Sequence, residues 1–366
     1  MKFQIQREDL LNPLQKIIGA VEKRQTMPAL SNILVKAEKE QISLTATDLE
    51  IELVTTINMV VDEPGETTLP ARKLLDISKA LPNESKIDIQ VEGDKATIKS
   101  GRSRFSLATL PAADFPALES IHGIAEFKLP QNILKELIDK TAFAMALQDV
   151  RYYLNGLMLE VNSGMLRAVA TDGHRLAYCE KQAECEINEM KQVIVPRKGI
   201  QELLRLLEDN DAELMMVIGS NHIQVEIAGF KFTSKLIDGR FPDYNRVIPE
   251  DSKNVLTADR EQLRQALVRA SILSNEKYRG IRLMLETNLL ELQAQNPDQE
   301  EADVELEIDY KGDSLEIGFN VNYMLDVLNV TDSSMVQASM RDSNSSCLMT
   351  YPDHQDCKYV IMPMRL

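Results

Sequence analysis

The sequence lacks any apolar run long enough to span a lipid bilayer, so we expect no transmembrane helix. It also lacks an opening stretch of positive and then apolar residues, which is the pattern of a secretion signal. Residues 1–6 instead alternate between apolar and polar side chains, as a strand does. We therefore expect the protein to be cytoplasmic.

Cysteine and histidine are scarce, with four residues of each type in 366. The cysteines are not spaced as a C-x-x-C metal site, and free thiols in a reducing cytoplasm are the expected state. No serine or cysteine nucleophile motif and no cluster of metal ligands is apparent. We therefore predict neither a metal nor a cofactor. The four cysteines are Cys179, Cys185, Cys347 and Cys357, and the four histidines are His122, His174, His222 and His354.

The composition is that of an ordinary soluble globular protein, with 44% hydrophobic and 27% charged residues. The length is sufficient for two or three domains that each have a core. The formal net charge of −16 taken alone argues against a nucleic-acid partner, because an acidic surface repels phosphate.

One segment recurs three times along the chain. Residues 166–176 contain a short apolar strand that runs into Thr-Asp-Gly-His-Arg, and Ala170 in this strand has counterparts at Ala46 and Ala294. Both steps between these alanines are 124 residues long. A repeat of this length is a whole domain, so we predict tandem duplication. The predicted domains are residues 1–124, 125–252 and 253–366.

Each copy follows one plan, in which a strand precedes an amphipathic helix and further strands surround a second helix. Asp259 is a plausible N-cap for the first helix of the third copy. The predicted unit is α+β, with two helices on one face of an antiparallel sheet. The six predicted helices fall within residues 10–24, 72–81, 131–146, 197–207, 260–270 and 320–330.

The predicted helices are basic, although the whole chain is acidic. They contain 14 Lys and Arg against 7 Asp and Glu, while the remainder contains 27 against 50. One interpretation is that solvent-facing helix residues are simply charged. The other is that the helix side faces a polyanion, with loose phosphate contacts and strong salt dependence. Because no recognition helix, zinc finger or RNA-binding aromatic signature is apparent, base-specific recognition is not expected.

Five segments are together more specific than any short motif, and the sequence that contains them resembles the bacterial sliding clamp, the beta subunit of DNA polymerase III holoenzyme. The resemblance extends from Met1 to Leu366. The segments are residues 101–107, 148–156, 170–176, 238–244 and 360–366.

This resemblance implies a non-catalytic processivity factor with the DNA clamp fold. Two three-domain subunits would join head to tail into a ring that encircles duplex DNA and slides on it. The ring would tether the replicative polymerase and bind clamp-loader subunits, other polymerases and repair proteins through short peptides. The implied dimer interface has Arg102, Arg104, Phe105 and Leu107 on one side and Ile272, Leu273, Glu300 and Glu301 on the other.

The resemblance also implies two binding surfaces within each subunit. DNA contacts are expected at Arg24, Gln148, Tyr152 and Tyr153, although a helix-terminal cation and local packing of the tyrosines are alternatives. A groove for partner peptides is expected at Leu154, Thr171, Gly173, His174, Arg175, Leu176, Pro242, Val247, Asn320, Tyr323, Ser346, Val360, Met362, Pro363, Met364 and Arg365. Core packing between the second and third copies is an alternative for some aliphatic members.

Two further functions compete with the clamp. The Thr-Asp-Gly-His-Arg segment could serve a hydrolase in which Asp172 orients His174, but the other two copies lack the histidine. A scaffold that gathers peptides without encircling DNA is the third hypothesis. Asn344 departs from the family pattern, in which an aliphatic residue is common, and would make one wall of the groove more polar.

Overall fold

The computed structural model describes residues 1–22, 27–116, 118, 123–184, 187, 189–250 and 252–365. Within these ranges the three copies have the same order of helices and strands, and the third copy adds one short strand. This confirms the predicted α+β plan of three tandem copies.

The secondary-structure elements are as follows. The first copy contains β1 Lys2–Gln6, α1 Arg7–Ile17, β2 Asn32–Ala37, β3 Gln41–Thr47, β4 Ile51–Asn58, β5 Gly65–Pro70, α2 Ala71–Ala80, β6 Lys86–Glu92, β7 Lys95–Ser100 and β8 Ser103–Ala108. The second contains β9 Gly123–Pro130, α3 Gln131–Thr141, β10 Gly156–Asn162, β11 Met165–Thr171, β12 Arg175–Gln182, β13 Lys191–Pro196, α4 Arg197–Leu206, β14 Glu213–Gly219, β15 His222–Ile227 and β16 Phe230–Lys235. The third contains β17 Asn254–Asp259, α5 Arg260–Ser271, β18 Gly280–Glu286, β19 Leu289–Gln295, β20 Glu301–Glu307, β21 Asp309–Tyr310, β22 Leu315–Asn320, α6 Val321–Asn329, β23 Met335–Met340, β24 Cys347–Tyr351 and β25 His354–Ile361.

The helices form where apolar residues recur at helical spacing. In α1, for example, Leu10, Leu14 and Ile17 are buried on one face. Two helices end several residues before their predicted last residue, because α1 gives way to a 3-10 turn at Ile18–Ala20 and α3 ends at Thr141. Within the described part of the chain, every helix is too short or too polar to cross a bilayer.

Residues Met1–Lys135 and Lys198–Leu236 form one compact unit with two antiparallel sheets. The eight-stranded sheet has the order β5-β2-β3-β4-β16-β15-β14-β9, and the four-stranded sheet has the order β1-β6-β7-β8. Helix α1 packs against α2 in this unit. The predicted boundary between residues 124 and 125 falls inside β9, which pairs with β14.

Residues Glu136–Arg197 and Ile237–Leu366 form the second compact unit. Its nine-stranded sheet has the order β13-β10-β11-β12-β25-β24-β23-β17-β21, and its four-stranded sheet has the order β20-β19-β18-β22. Helices α5 and α6 pack together, and α5 also packs against β19 and β20.

Successive copies share a sheet at two equivalent junctions, which we call seams. In the first seam β4 pairs with β16, and in the second β12 pairs with β25. Each seam therefore joins the fourth strand of one copy to the last strand of the next. Because each copy divides its strands between two sheets, the copies are not separate compact units.

The repeated alanines are the second-to-last residues of β3, β11 and β19, which end at matching corners. Directly after each corner, Asp48, Asp172 or Asn296 caps a turn by accepting hydrogen bonds from backbone N–H groups ahead of it. Asp48 and Asp172 accept from residues two and three ahead, whereas Asn296 accepts from residues two and four ahead. The third copy therefore has one additional residue in this turn.

The expectation of free thiols is wrong for two of the cysteines. Cys179 in β12 and Cys357 in β25 lie opposite each other across the second seam, and a disulfide joins them with an S–S distance of 2.10 Å. Cys347 is a buried free thiol, as expected. Cys185 and its expected free thiol lie outside the described residues.

The predicted N-cap at Asp259 is confirmed, since its carboxylate accepts a hydrogen bond from the backbone N–H of Gln262 at 2.8 Å. We expect Asp259→Ala to lower the free energy of unfolding by about 1 kcal/mol, because an N–H in the first turn of α5 loses its acceptor. Asp259→Ser should retain most of that stability. Urea unfolding of both variants would test this, and equal stability of the two would contradict it.

Candidate functional site

A groove of about 180 Å³ opens on the second unit. Ten of its lining residues belong to the predicted peptide groove, and the other four are Arg151, Tyr153, Phe241 and Tyr244. The ten are Leu154, Thr171, Gly173, His174, Arg175, Leu176, Pro242, Val247, Val360 and Met362. Most of the exposed lining is apolar, so the groove suits apolar side chains of a ligand.

The floor of the groove lies at the second seam. Thr171 at the end of β11 pairs with Leu176 in β12, and Leu176 pairs with Val360 in β25. Met362 continues beyond β25, where its backbone N–H donates to the carbonyl of His174 at 2.9 Å. Backbone pairing thus brings together residues that are nearly 190 positions apart in the sequence.

The Thr-Asp-Gly-His-Arg turn forms one rim of the groove. Its conformation requires glycine at position 173, where φ is +88° and an added Cβ would lie 2.8 Å from Nη2 of Arg151. The Thr171 hydroxyl donates to the carbonyl of Arg175 at 2.6 Å and accepts from the N–H of Gly173 at 3.1 Å. These bonds fix the rim without any ligand.

Arg175 is held from several directions, and only 11% of its side chain is exposed. Its guanidinium pairs with Asp172 at 3.2 Å and with Asp326, and donates to the carbonyl of Phe143 at 2.8 Å. It also lies over the rings of Phe143 and Tyr323, at 5.2 and 4.5 Å from their centroids. Arg175 therefore forms a fixed wall between the groove and a polar cleft. That cleft is lined by Phe143, Met145, Ala146, Leu147, Asp149, Asp172, His174, Arg175, Arg197 and Tyr323.

Five predicted groove residues line neither cavity. They are Asn320, Ser346, Pro363, Met364 and Arg365. Asn320 instead caps α6, accepting from the N–H of Asn322 at 2.9 Å, while the N–H of Met364 donates to the carbonyl of Gly318 at 2.8 Å. Ser346 and Pro363 are half-buried, and Arg365 is exposed. Asn344 is exposed as well.

The contacts of Asp172 are those of a turn. One carboxylate oxygen accepts from the N–H groups of His174 and Arg175, and the other faces the Arg175 guanidinium. The His174 side chain is exposed. The acceptor positions of Asp172 are thus occupied by groups other than an imidazole, unlike those of a carboxylate that orients a catalytic histidine.

The four predicted DNA contacts have different environments. Gln148 and Tyr152 are exposed on the loop before β10, and Gln148 has a left-handed φ of +57°. Tyr153 is half-buried and lines the groove. Arg24 lies outside the described residues, and α1 ends before it.

An ion pair shapes the loop that contains Gln148 and Tyr152. Arg151 pairs with Asp149 at 2.9 Å, and its hydrogen bonds hold the pKa of the Asp149 carboxyl well below its usual range, at about 2. Arg151 also donates to the carbonyl of Asp172 at 3.3 Å. This arginine therefore connects the loop to the rim of the groove.

The predicted interface residues lie at two sheet edges, one in each unit. On β8 and the turn before it, Arg102 and Arg104 are exposed, Phe105 is half-buried and Leu107 is buried. On the second unit, Ile272 is 73% exposed at the end of α5. Leu273 is half-buried, and Glu300 and Glu301 are exposed at the start of β20.

Among the described residues, one group of potential metal ligands stands out. Cys179, Cys357 and Asp356 have ligand atoms within 4.8 Å of one another. The two sulfurs are bonded to each other, however, and Asp356 pairs with Lys181 at 2.6 Å. The group as it stands offers no thiolate to a metal.

Three family models cover nearly the whole chain. Residues 1–119, 128–243 and 245–365 match the N-terminal, central and C-terminal domains of the DNA polymerase III beta subunit. The chain belongs to the beta sliding clamp family. Members of this family are processivity factors of DNA polymerase III.

Several relatives align over their full length. The chain is 56% identical to the beta sliding clamp of Pseudomonas aeruginosa and 50% identical to that of Escherichia coli K12, covering 100% of both proteins in each comparison. A crystal structure of the Pseudomonas aeruginosa clamp bound to griselimycin gives a TM-score of 0.96 at 56% identity, with full coverage of both chains. The Caulobacter crescentus beta subunit gives a TM-score of 0.94 at 40% identity, again with full coverage.

We expect Gly173→Ala to displace the Arg151 guanidinium, because the new Cβ would lie 2.8 Å from it. The pKa of Asp149 should then rise from about 2 toward the ordinary value, since its partner is drawn away. NMR titration of the Asp149 carboxyl would measure this.

Gly164→Ala is the matched control, because Gly164 also has a positive φ, +77°, but its added Cβ would meet nothing within 4 Å. Both variants should lose about 1 kcal/mol of stability from the left-handed backbone alone. An unchanged Asp149 pKa in Gly173→Ala would show that Arg151 does not depend on the missing side chain.

Proposed function

We propose that two copies of this chain close head to tail into a ring around duplex DNA and tether DNA polymerase III and other partners through the groove. The observation that carries this proposal is the repeated seam. Successive copies join by pairing a fourth strand with a last strand. The remaining strands of these two types, β20 and β8, each lie at one edge of a four-stranded sheet. Each edge is therefore the type of strand with which the other type pairs inside the chain.

The internal seams supply a register for this closure. In the first and second copies, one residue of the fourth strand pairs with the repeated alanine. Leu53 pairs with Ala46, and Ala177 pairs with Ala170. Across the seam, Leu53 lies opposite Phe232, and Ala177 lies opposite Tyr359.

The same rule can be applied to the open edges. Ala302 pairs with Ala294, so it is the third-copy equivalent of Leu53 and Ala177. Phe105 pairs with Ile98 as Phe232 pairs with Val225, so Phe105 is the first-copy equivalent of Phe232. We therefore infer that Phe105 of one protomer lies opposite the partner's Ala302.

The chemistry of the edges supports this register. It places Arg104 opposite the partner's Asp303 on the outward face of the joined sheet, where opposite charges attract. On the inward face, Phe105 and Leu107 would approach the end of α5, where Ile272 is exposed. An apolar cluster with an ionic rim is typical of stable interfaces.

We expect the double variant Ser103→Cys with Val304→Cys to form covalent dimers on mild oxidation, since these positions correspond to Cys357 and Cys179 in the second seam. Non-reducing gel electrophoresis would show the product. Ser103→Cys with Leu306→Cys is the matched control, because Leu306 is on the same face of β20 but two residues out of register. More efficient crosslinking in the control would contradict the register.

Positive charge on the helices supports a loose DNA contact. Arg72, Lys73 and Lys79 are exposed on α2, and Arg205 is exposed on α4. We propose that such residues, with Arg24, Gln148, Tyr152 and Tyr153, contact phosphate and sugar without reading bases. The acidic remainder of the chain would face away from the DNA.

Retention on circular DNA distinguishes the clamp from a peptide-gathering scaffold. Loaded onto a nicked circle by a clamp loader, the protein should co-elute with the DNA on gel filtration, because a closed ring cannot dissociate. Cutting the circle should release it, since the ring slides off the ends. Equal retention on circular and linear DNA, or on neither, would contradict encirclement.

The groove supports the tethering part of the proposal. Its apolar lining and fixed rim suit aliphatic or aromatic anchors of a partner peptide, which is how a few residues supply most of an interface's energy. Clamps of relatives bind griselimycin, which shows that proteins of this fold bind compact ligands. The contacts of Asp172 favour this non-catalytic function over a hydrolase.

A further inference from the structure

A polar row crosses one face of the second unit's large sheet. Strand register places Gln192, Glu160, Arg167 and Glu180 directly opposite one another on β13, β10, β11 and β12. The next row on the same face contains Ile194, Met158, Val169 and Tyr178, which are buried in one apolar cluster. The row after that supplies the floor of the groove.

Glu160 is the buried centre of the polar row, with 4% of its side chain exposed. Its Oε1 pairs with Nη1 of Arg167 at 2.6 Å, and its Oε2 accepts from Gln192 at 2.7 Å. Arg167 also pairs with Glu180 at 2.7 Å. A carboxylate this deeply buried is tolerable only because it is paired and hydrogen-bonded.

Tyr244 connects this row to the groove. Its ring lines the groove and packs in the apolar cluster, and its hydroxyl donates to Oε2 of Glu160 at 3.1 Å. It lies in the segment of residues 241–247, which also supplies Phe241, Pro242 and Val247 to the lining. The wall formed by this segment is therefore fastened to the sheet through the tyrosine hydroxyl.

The side chains of this segment fix its height above the sheet: Phe241 and Tyr244 are both buried in the apolar cluster, and Val247 packs against it. Its backbone hydrogen bonds from Arg246 to Asp243 and from Val247 to Tyr244 are local to a 3-10 turn. Side chains must therefore seat it, and the 5% exposed Tyr244 is the one whose polar end reaches a buried charge. Burial and the nearby Glu160 raise the pKa of Tyr244, which favours the protonated hydroxyl that donates to Glu160.

We propose that Glu160 and Tyr244 are positioning residues, which set the depth of the groove and thereby its affinity for partner peptides. This inference rests on the proposed function of the groove. A wall that is free to shift would hold the same apolar contacts less often, so the bound state would be less favourable.

The test is the affinity of Tyr244→Phe for griselimycin, measured by calorimetry on the full-length protein. We expect roughly twofold to tenfold weaker binding, which corresponds to one hydrogen bond. Tyr351→Phe is the matched control. Tyr351 is 1% exposed, and its hydroxyl donates to the carbonyl of Val327 at 2.5 Å, away from the groove. Both variants should lose similar thermal stability, and only Tyr244→Phe should lose affinity.

A double-mutant cycle with Glu160→Gln separates positioning from general destabilisation. Both oxygens of Glu160 act as acceptors, so glutamine can retain only one of them. If the two residues act through one hydrogen bond, the affinity of the double variant for griselimycin should be about that of the single variant with the lower affinity. Additive losses, or unchanged affinity in Tyr244→Phe, would overturn the inference.

Failure of the proposed function would produce a different result. The wild-type protein would then not bind griselimycin, or a groove-floor substitution, Leu176→Ala, would leave its affinity unchanged. Wild-type binding that is lost in Leu176→Ala but retained in Tyr244→Phe would support the groove and reject only the positioning pair.

Discussion

Backbone pairing across the seams is the constraint on which the rest of this structure depends. A strand edge presents unpaired N–H and C=O groups, and β4–β16 and β12–β25 satisfy them by joining successive copies into continuous sheets. The groove exists only because the second seam brings Leu176 and Val360 side by side. The same rule leaves β8 and β20 as open edges, and the proposed head-to-tail closure would pair them in the same way.

Local features of this fold were predictable from sequence patterns, whereas the pairing register of distant strands was not. The Asp259 cap and the apolar faces of the helices depend on a few neighbouring residues. The Cys179–Cys357 disulfide depends on strand pairing between residues 178 positions apart. The spacing of the cysteines in the sequence does not predict how β12 and β25 pair. The reducing environment inferred from composition instead predicted free thiols.

The groove shows the same division. Resemblance brought Pro242 and Val247 into the predicted set, but not Phe241 and Tyr244 from the same segment. The sequence signal that could have predicted Phe241 and Tyr244 was an aromatic side chain close to Pro242 in the same loop. Arg151 gave no such signal, because its place over Gly173 is decided by the fold of two loops distant in sequence.

Fewer of the positive helix side chains are free to contact phosphate than the composition of the helices indicated. Arg205 pairs with Glu202 at 3.2 Å and Arg264 with Glu261 at 2.6 Å, so part of the positive excess is neutralised within the helices. Exposed pairs of this kind contribute little stability. The proposed ring has no need of a stronger field, however, because encirclement would retain DNA by topology. Weak phosphate contact would then favour sliding, since each step breaks few interactions, while dissociation would require the proposed junction between two chains to open.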